Sequence, residues 1–354
     1  MVRNWIEVLR TCNLPEGSAL DPVSKWLIIT RSCVFSMTVI SAFVGGMLAA
    51  IDGSFSLGLW LLVTAGLVLA HAANNMVNDL FDEAGGVDTA DYPRANYAPH
   101  PILDRLVTRN QLIAAIVVCN VLDFLIALYL AWERGWAVMA FAVAGLLTSV
   151  FYVAPPLKLK HRGLGEPAIF LIWGPLMIAG TYYVLAGSVS AAVWLASIPY
   201  GLAVTTALMC KHLDKADKDE QKGVRTLPVL LGRRRAQQAT ALLVWGFYLF
   251  LVGLVACGIL PWLTLLALLS LPKASRVLVA LQGPVPTTSQ EAFDLAEDVI
   301  PEDMKKRFKP GLPLESYPLW PLWYVVWAVW WTRNAGAWFV VGLLLAAIAR
   351  GLFG

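Results

Sequence analysis

The sequence has few charged residues and few groups that titrate near neutral pH. Only 14% of its 354 residues are Asp, Glu, Lys or Arg, and it contains four histidines. A soluble domain usually carries about a quarter charged residues, so the composition excludes an ordinary water-soluble enzyme. The net charge is only +3 at pH 7, and no stretch has the pattern of a nucleic-acid-binding surface. We therefore expect no nucleic-acid partner.

Cysteine is also scarce. The five cysteines have neither the spacing of a metal site nor a paired pattern: Cys12, Cys33, Cys119, Cys210 and Cys257. Most lie in apolar segments, and we interpret them as small core hydrophobes. The first 25 residues lack the continuous apolar core of a signal peptide. They predict instead a short amphipathic helix on the membrane surface, followed by a turn.

What the chain has in place of charge is a series of long apolar runs, and 58% of its residues are hydrophobic. A membrane span needs about 20 mainly apolar residues. Nine runs fit, although Pro272, Lys273 and Arg276 interrupt the eighth: Trp26–Ala50, Ser56–Asn75, Leu112–Trp132, Trp136–Val153, Ala168–Ala186, Ala191–Cys210, Ala241–Gly258, Trp262–Leu281 and Gly336–Leu352. The sequence thus predicts an all-α, polytopic bundle of about nine transmembrane helices in the lipid bilayer.

Residues 319–332 form an unusual run of Trp and Tyr that is short for a span. Because these side chains favour the headgroup level, we predict an interfacial or half-inserted helix, with a tenth span as the alternative. The chain then divides into an N-terminal segment (1–25), a transmembrane core (26–282), a polar loop (283–317) and the Trp-rich segment with the last helix (318–354). Within the polar loop, Ser289 with Ala292–Ala296 predicts a short amphipathic helix.

Basic residues alternate sharply between the loops. Loops 83–110, 154–167 and 211–240 and the connection after the eighth span carry Lys and Arg, whereas the intervening loops carry almost none. The positive-inside rule then places the N-terminus and the charged loops on the cytoplasmic side of the cell membrane. We expect a central cavity that opens to that side.

A first polar cluster follows the second span. Carboxylates and carboxamides gather there: Asn74, Asn75, Asn78, Asp79, Asp82, Glu83, Asp88 and Asp91. Such groups are costly at the end of a lipid-buried helix and indicate a functional site. Asn74, Asn78 and Asp82 are four residues apart and share a helix face. Their oxygens suit Mg²⁺, which combines one or two carboxylates with substrate phosphates; a polar helix end in the headgroup region is the alternative.

A second polar cluster, Lys211–Gly232, follows the sixth span on the same side. Asp214, Asp217 and Asp219 alternate there with Lys211, Lys215, Lys218 and Arg225. This mixture fits a site that holds cations and the anion between them, although a solvated charged loop has a similar composition. The two clusters are four spans apart, which suggests a pseudo-repeat whose halves face each other across one cavity.

Three motifs resemble those of the UbiA superfamily of intramembrane prenyltransferases. They are Asn78-Asp79-x-x-Asp82 with Asp88, then Tyr152-x-x-x-Pro156 with Lys158 and Gly163–Glu166, and finally Asp219-x-x-x-Gly223-x-Arg225-Thr226-Leu227-Pro228. The stretch NDLFDEAGGVDT is similar to the branch that prenylates 1,4-dihydroxy-2-naphthoate. The chain departs from the second aspartate motif, because Lys215 stands where the family usually has Asp. His212 lies in a region where the family commonly has Asn.

The resemblance implies a Mg²⁺-dependent transfer of a polyprenyl chain from a polyprenyl diphosphate to an aromatic acceptor, with release of pyrophosphate. It implies metal ligands among Asn78, Asp82, Asp88, Asp214, Asp217 and Asp219. It implies contacts to the diphosphate from Lys158, Arg94, Arg225, Lys211 and Asn74. Asn78, Asp82 and Asp219 are then catalytic, together with Tyr152, whose ring can face the allylic cation.

Two alternatives stay open from the sequence. An intramembrane terpene cyclase would ionise the same diphosphate without an acceptor, and a transporter would place polar residues near mid-membrane on broken helices. Asn120 and Asp123 lie inside the third span, and we assign them a structural role. His71, inside the second span, is interpreted as a core histidine.

Overall fold

The structure, a computed structural model, describes residues 1–15, 17–297 and 322–353. These residues form helices, with one isolated backbone bridge between Arg162 and Arg225. The α-helices are α1 (Val2–Thr11), α2 (Pro22–Ile29), α3 (Phe35–Ile51), α4 (Leu57–Ala84), α5 (Pro93–Tyr97), α6 (Arg109–Arg134), α7 (Ala137–Val153), α8 (Gly165–Leu171), α9 (Met177–Ala186), α10 (Ala191–Gln221), α11 (Leu227–Leu231), α12 (Arg233–Ala256), α13 (Leu271–Gln282), α14 (Ser289–Ala296) and α15 (Tyr324–Phe353).

The predicted polytopic helical bundle is confirmed. Eight helical stretches of the described chain are long and apolar enough to cross a membrane: Ser32–Ile51, Leu57–Ala84, Arg109–Arg134, Gly165–Ala186, Ala191–Gln221, Arg233–Ala256, Trp262–Gln282 and Tyr324–Gly351. A ninth apolar helix, α7, has 17 residues. Each predicted run overlaps one of these nine, but the first, Trp26–Ala50, is divided: α2 ends at Ile29, and the span begins at Ser32. The eighth stretch begins as a 3₁₀ helix over Trp262–Ser270 and becomes α-helical at Leu271, beside Pro272.

The Trp-rich run differs from its prediction. Residues 319–321 lie outside the described residues, but from Tyr324 the run is the first part of α15, which continues to Phe353 without a break. Trp327 and Trp331 are buried in the main core, and Trp331 Nε1 donates a hydrogen bond to the Tyr248 hydroxyl. Packing against α12 therefore replaces the headgroup position expected for these rings.

The cysteine interpretation also needs a correction. Cys12, at the end of α1, and Cys33, in the turn that follows α2, form a disulfide. Contacts of α1 with α2 and with that turn bring the two residues together. Of the remaining cysteines, Cys210 is buried as expected, whereas Cys257 is exposed. The short helices expected in the N-terminal segment and from Ser289 are present as α1 and α14.

Helix α10 occupies the centre of the bundle and packs against α3, α8, α12 and α15. Close approach of backbones at its middle depends on glycine. A Cβ atom on Gly174 would lie 3.1 Å from the Gly201 Cα, and one on Gly201 would lie 3.2 Å from the Gly174 Cα. The π-helical turn over Ile172–Leu176 lies against α10 at this point.

Helices α4 and α10 end in the same way. In each, a glycine with positive φ follows the last aspartate of the helix by four residues: Gly86 (φ +70°) follows Asp82, and Gly223 (φ +72°) follows Asp219. In both, the next residue, a valine, donates its N–H to the aspartate carbonyl at 2.8 Å, which is the Schellman arrangement of a helix C-terminus. With 28 and 31 residues, these helices are about 42 and 46 Å long, so their polar ends extend past a hydrocarbon layer of about 30 Å.

Candidate active site

Two buried carboxylates mark the polar ends of α4 and α10. Asp82 Oδ2 accepts a hydrogen bond from Lys160 Nζ at 2.6 Å. Asp219 Oδ1 accepts one from the Tyr92 hydroxyl and lies 3.7 Å from Lys215 Nζ. Lys215 Nζ in turn donates to the Tyr92 hydroxyl at 2.9 Å. The carboxylate of the first motif thus pairs with one lysine, and that of the second with a tyrosine and another lysine.

The surroundings shift the pKa values of two of these groups, Lys160 and Tyr92, which lie in loops. Burial would lower the pKa of Lys160, but the Asp82 carboxylate outweighs burial and raises that pKa. Burial, together with the nearby carboxylate of Asp219, raises the pKa of Tyr92 far above its ordinary value. Lys160 is therefore a fixed cation, and Tyr92 is a fixed hydrogen-bond donor.

Asp79, beside Asn78, forms a second buried network. The Arg94 guanidinium binds its carboxylate in a bidentate manner, with Nε–Oδ1 and Nη2–Oδ2 distances of 3.0 and 3.1 Å. Arg31 also pairs with Asp79. Two guanidinium groups thus neutralise one carboxylate. His100 Nε2 lies 3.3 Å from Asp88 Oδ2; burial would raise the pKa of Asp88, but the His100 contact outweighs it and lowers that pKa.

A polar cavity of about 290 Å³ lies between these networks. Its lining combines five cations with two carboxylates and a few further polar side chains: Arg31, Asn78, Asp82, Asp88, Arg94, Tyr97, Tyr152, Lys160, Lys211, His212 and Lys215. The excess of positive charge also shifts the pKa of Tyr97. Burial would raise the pKa of this phenol, but Lys211, Arg31 and Arg94 lower it to about 8. The cavity therefore favours an anion.

Several residues that the sequence predicts for the site line this cavity: Asn78, Asp82, Asp88, Arg94, Tyr152 and Lys211. Asp219 adjoins the cavity through Tyr92 and Lys215. Arg94 differs from its prediction in one respect, because its guanidinium is bound to Asp79.

Asp214 and Asp217 are not brought to the cavity. The Asp214 carboxylate accepts the backbone N–H groups of Trp323, Tyr324 and Val325 at 3.1, 2.8 and 2.9 Å, and thus caps the start of α15. The Asp217 side chain is 78% exposed and pairs with Arg233 at 3.0 Å. Helical periodicity explains why these two carboxylates point elsewhere than Asp219. Residues four apart share a helix face, and it is Lys215, not Asp214 or Asp217, that lies four residues before Asp219.

Three predicted diphosphate contacts are also elsewhere. Lys158 is exposed and has a positive φ of 44°, whereas Lys160, two residues later, points into the cavity. Arg225 is exposed, and its backbone bridges that of Arg162. Asn74 lies one turn before Asn78, and its Oδ1 accepts a hydrogen bond from the Ser149 hydroxyl at 2.8 Å.

Several cavity residues were missed from the sequence, notably Lys160, Lys215 and Arg31. A buried pair also supports the site: His212 Nδ1 lies 2.6 Å from Glu166 Oε1, which also accepts the backbone N–H of Leu227 at 3.3 Å. Glu166, in the motif that begins at Tyr152, therefore holds the loop of the second aspartate motif. Lys215 could have been predicted from the sequence, because it stands one helical turn before Asp219 and therefore on the same helix face.

The oxygen donors fit Mg²⁺. Asn78 Oδ1 and Asp219 Oδ2 are buried and have no hydrogen-bond partner among the described residues. Asn78 lies beside Asp82 and Asp88 in the cavity, and an amide with two carboxylates is a hard ligand set of the kind that Mg²⁺ takes. Asp79 with Asp88 and His100 is compact enough for an ion, but two guanidinium groups already neutralise Asp79.

An apolar groove of about 1110 Å³ adjoins the polar cavity along α4. It begins at Asn74, one turn from Asn78, and at His71, whose Nδ1 lies 2.8 Å from the Thr38 hydroxyl. It ends at a cluster of apolar side chains far from the polar cavity: Val63, Leu130, Val138 and Val184. Helices α4, α6, α7 and α9 form its walls.

Comparison with known proteins agrees with this architecture. The UbiA prenyltransferase family matches residues 38–293. A 2-carboxy-1,4-naphthoquinone phytyltransferase of Synechocystis is 26% identical over 273 residues, which are 75% of this chain and 87% of that protein. A 1,4-dihydroxy-2-naphthoate octaprenyltransferase of Escherichia coli is 27% identical over 276 residues, with 75% and 88% covered.

Solved structures share the fold. A UbiA homolog from Archaeoglobus fulgidus, bound to GPP and Mg²⁺, superposes with a TM-score of 0.55 at 14% identity and covers 92% of this chain and 99% of its own. An apo UbiA homolog from Aeropyrum pernix gives a TM-score of 0.56 at 18% identity, with 87% and 97% covered. Because the family match spans most of the sequence, this multi-pass membrane protein belongs to the UbiA prenyltransferase family.

Proposed function

We propose that the protein transfers a polyprenyl chain from an allylic prenyl diphosphate to an aromatic acceptor of the 1,4-dihydroxy-2-naphthoate type, releasing pyrophosphate. The observation that carries this proposal is the junction of a cationic cavity with a long apolar groove on α4. A prenyl diphosphate has an anionic head and an apolar chain, and the two compartments match these two parts. The naphthoate and naphthoquinone prenyltransferases among the relatives support this class of acceptor.

The chain's own cations would hold the diphosphate. Lys160, Lys211 and Lys215 line the cavity, and charge-assisted hydrogen bonds from such groups stabilise the charge that develops on the leaving oxygen. Arg31 and Arg94 add positive charge while they position Asp79. Lys158 and Arg225 have no part in this assignment because their side chains are exposed.

Asn78, Asp82 and Asp88 from the first motif and Asp219 from the second would hold Mg²⁺. Bound there, the ion supplies charge neutralisation to the departing diphosphate. We assign Asp214 and Asp217 to structural contacts instead, for the reasons of geometry given above.

Tyr152 lines the cavity at the last turn of α7 and is buried. Its ring face can stabilise the allylic cation that forms when the C–O bond breaks and the electron pair leaves with pyrophosphate. A carbon of the electron-rich acceptor ring then forms the new C–C bond with this cation, and the same ring carbon releases its proton.

The charge of the loops supports a cytoplasmic position for the N-terminus and the cavity of a protein in the cell membrane. Among the described residues, the basic loops 154–167 and 211–240 lie on the side of the bundle where α4 and α10 end.

The test uses the purified protein in lipid nanodiscs with Mg²⁺ and geranylgeranyl diphosphate, with and without 1,4-dihydroxy-2-naphthoate. We expect release of pyrophosphate that depends on the acceptor, a prenylated naphthoate identified by its mass, and loss of turnover in Asp82→Ala and Asp219→Ala. Release without an acceptor, with a cyclic hydrocarbon product, would instead identify a terpene cyclase. Absence of pyrophosphate release both with and without the acceptor would refute the proposal.

A further inference from the structure

The apolar groove contains one polar pair for which the reaction has no use. Asn120 and Asp123 lie one turn apart on α6, and both line the groove. Asn120 Nδ2 donates to the Ile116 carbonyl of its own helix at 2.8 Å. The Asp123 carboxyl group lies against Gly66 of α4, where a Cβ atom would be only 3.0 Å from Asp123 Oδ1. Within the described part of the chain, Asp123 has neither a cation nor a hydrogen-bond donor as partner.

Helix α4 gives the depth of Asp123 in the groove. Sixteen residues separate Gly66 from Asp82, which corresponds to about 24 Å along the helix axis. One isoprene unit contributes four carbon–carbon bonds, or about 5 Å when extended. A chain whose reacting carbon lies beside Asp82 therefore reaches Asp123 at about its fifth unit. The apolar end of the groove at Val63 lies less than one further turn away.

We propose that Asp123 sets the length of the prenyl chain, favouring chains of about four isoprene units over longer ones. This inference rests on the proposed function. A chain of four units ends before Asp123 and leaves the space beside the carboxyl group to water. A longer chain must displace that water and cover a carboxyl group that has no partner, which is unfavourable in an apolar environment. At this distance from Asp82, Asp123 is also too far from the reacting carbon to contact the acceptor ring.

The test compares kcat/KM for prenyl diphosphates of three, four and six units with one acceptor. Asp123→Asn and Asp123→Leu form a matched pair, since the two new side chains are similar in size and differ in polarity. The wild type and Asp123→Asn should prefer four units to six by about tenfold or more, as expected when a polar group is buried without a partner. Asp123→Leu should reduce this preference by about tenfold and leave the values for three and four units unchanged.

A second variant tests the path of the chain independently. Gly145 of α7 lines the opposite wall, and a Cβ atom there meets nothing within 4 Å. It lies one turn beyond Ser149, which contacts Asn74, and hence about 18 Å from Asp82 along the groove. Gly145→Phe should therefore reduce kcat/KM for four units far more than for two units.

An unchanged ratio of four to six units in Asp123→Leu, or a wild-type preference for six units, would overturn the inference while the proposed function stands. An equal effect of Gly145→Phe on two and four units would also overturn it, because the chain would then take another path. If the wild type turned over no prenyl diphosphate with any acceptor, the proposed function would fail and this inference with it.

Discussion

Substitution of Lys160 by Met is the most direct test of which lysine contacts the diphosphate, because the structure and the sequence motif favour different residues. The motif favours Lys158 as the contact to the diphosphate. In the structure Lys158 is exposed, whereas Lys160 is buried and its Nζ lies 2.6 Å from Asp82 Oδ2. Lys158→Met is therefore the matched control: it removes the same charge, two residues away, from the surface of the same loop.

The expected loss follows from burial and charge. Removal of one preorganised donor to a developing anion costs about 10²–10³ in rate, or roughly 3–4 kcal/mol, and we expect this loss in kcat/KM for Lys160→Met. Loss of Lys160 also leaves Asp82 buried without its partner, which destabilises the metal-free protein by about 3–5 kcal/mol. Lys158→Met should change either quantity little, since an isolated exposed charge contributes at most about 1 kcal/mol.

The assay measures acceptor-dependent pyrophosphate release at saturating Mg²⁺, with thermal unfolding recorded on the same preparations. Turnover is compared per folded protein, so that a loss of stability is not counted as a loss of chemistry. The reasoning would be refuted if Lys158→Met lost 10²-fold or more in kcat/KM while Lys160→Met stayed near the wild type.

Three further outcomes are expected. Asp214→Ala should lower the free energy of unfolding by about 1–2 kcal/mol, as loss of a helix cap does, yet keep turnover per folded protein. Asp219→Asn should keep the fold and lose turnover. Equal loss of turnover in both variants would contradict the assignment of Asp214 to the helix cap and of Asp219 to the site. Because the pKa of Tyr97 is lowered to about 8, its phenolate stabilises the folded state at pH above about 10, and this contribution is lost as the pH falls through 8; thermal unfolding from pH 7 to 10 should show this trend in the wild type and not in Tyr97→Phe. Protein purified without reductant should titrate three free thiols after denaturation, and reduction of Cys12–Cys33 should cost about 3 kcal/mol; five free thiols in the same preparation would contradict the disulfide.

The helices could be predicted because the length of an apolar run and the thickness of a bilayer are linked. Each of the nine runs overlaps an observed helical stretch, but the sequence could not show where helices continue past the apolar run. Helix α10 extends to Gln221, eleven residues beyond the expected end at Cys210. The first turns of α15 were misread because aromatic rings favour both headgroups and protein cores, and only tertiary packing decides between these places.

The site was predictable where helical periodicity applies and not where a turn sets direction. Asn78 and Asp82 were found because residues four apart share a face. Lys160 was missed because the positive φ of Lys158 redirects the chain just before it, and spacing in sequence does not reveal such a turn. Asp214 was assigned to the metal because a carboxylate that caps a helix more than 100 residues later looks no different in sequence from a ligand.

The two halves of the site are joined by a residue that belongs to neither motif. Val87 and Val224, the valines that close the ends of α4 and α10, form one buried hydrophobic cluster with Tyr92. The Tyr92 hydroxyl donates to Asp219 and accepts from Lys215, so one side chain links the apolar and the polar contacts between the halves. The repeated helix ends explain why both motifs place an aspartate four residues before a glycine. The glycine takes the positive φ, the valine N–H bonds back to the aspartate carbonyl, and the aspartate stays near the helix end, where Asp82 lines the cavity and Asp219 adjoins it. The distance between the two carboxylates therefore depends on the loop that carries Tyr92, and the motifs alone could not have fixed it.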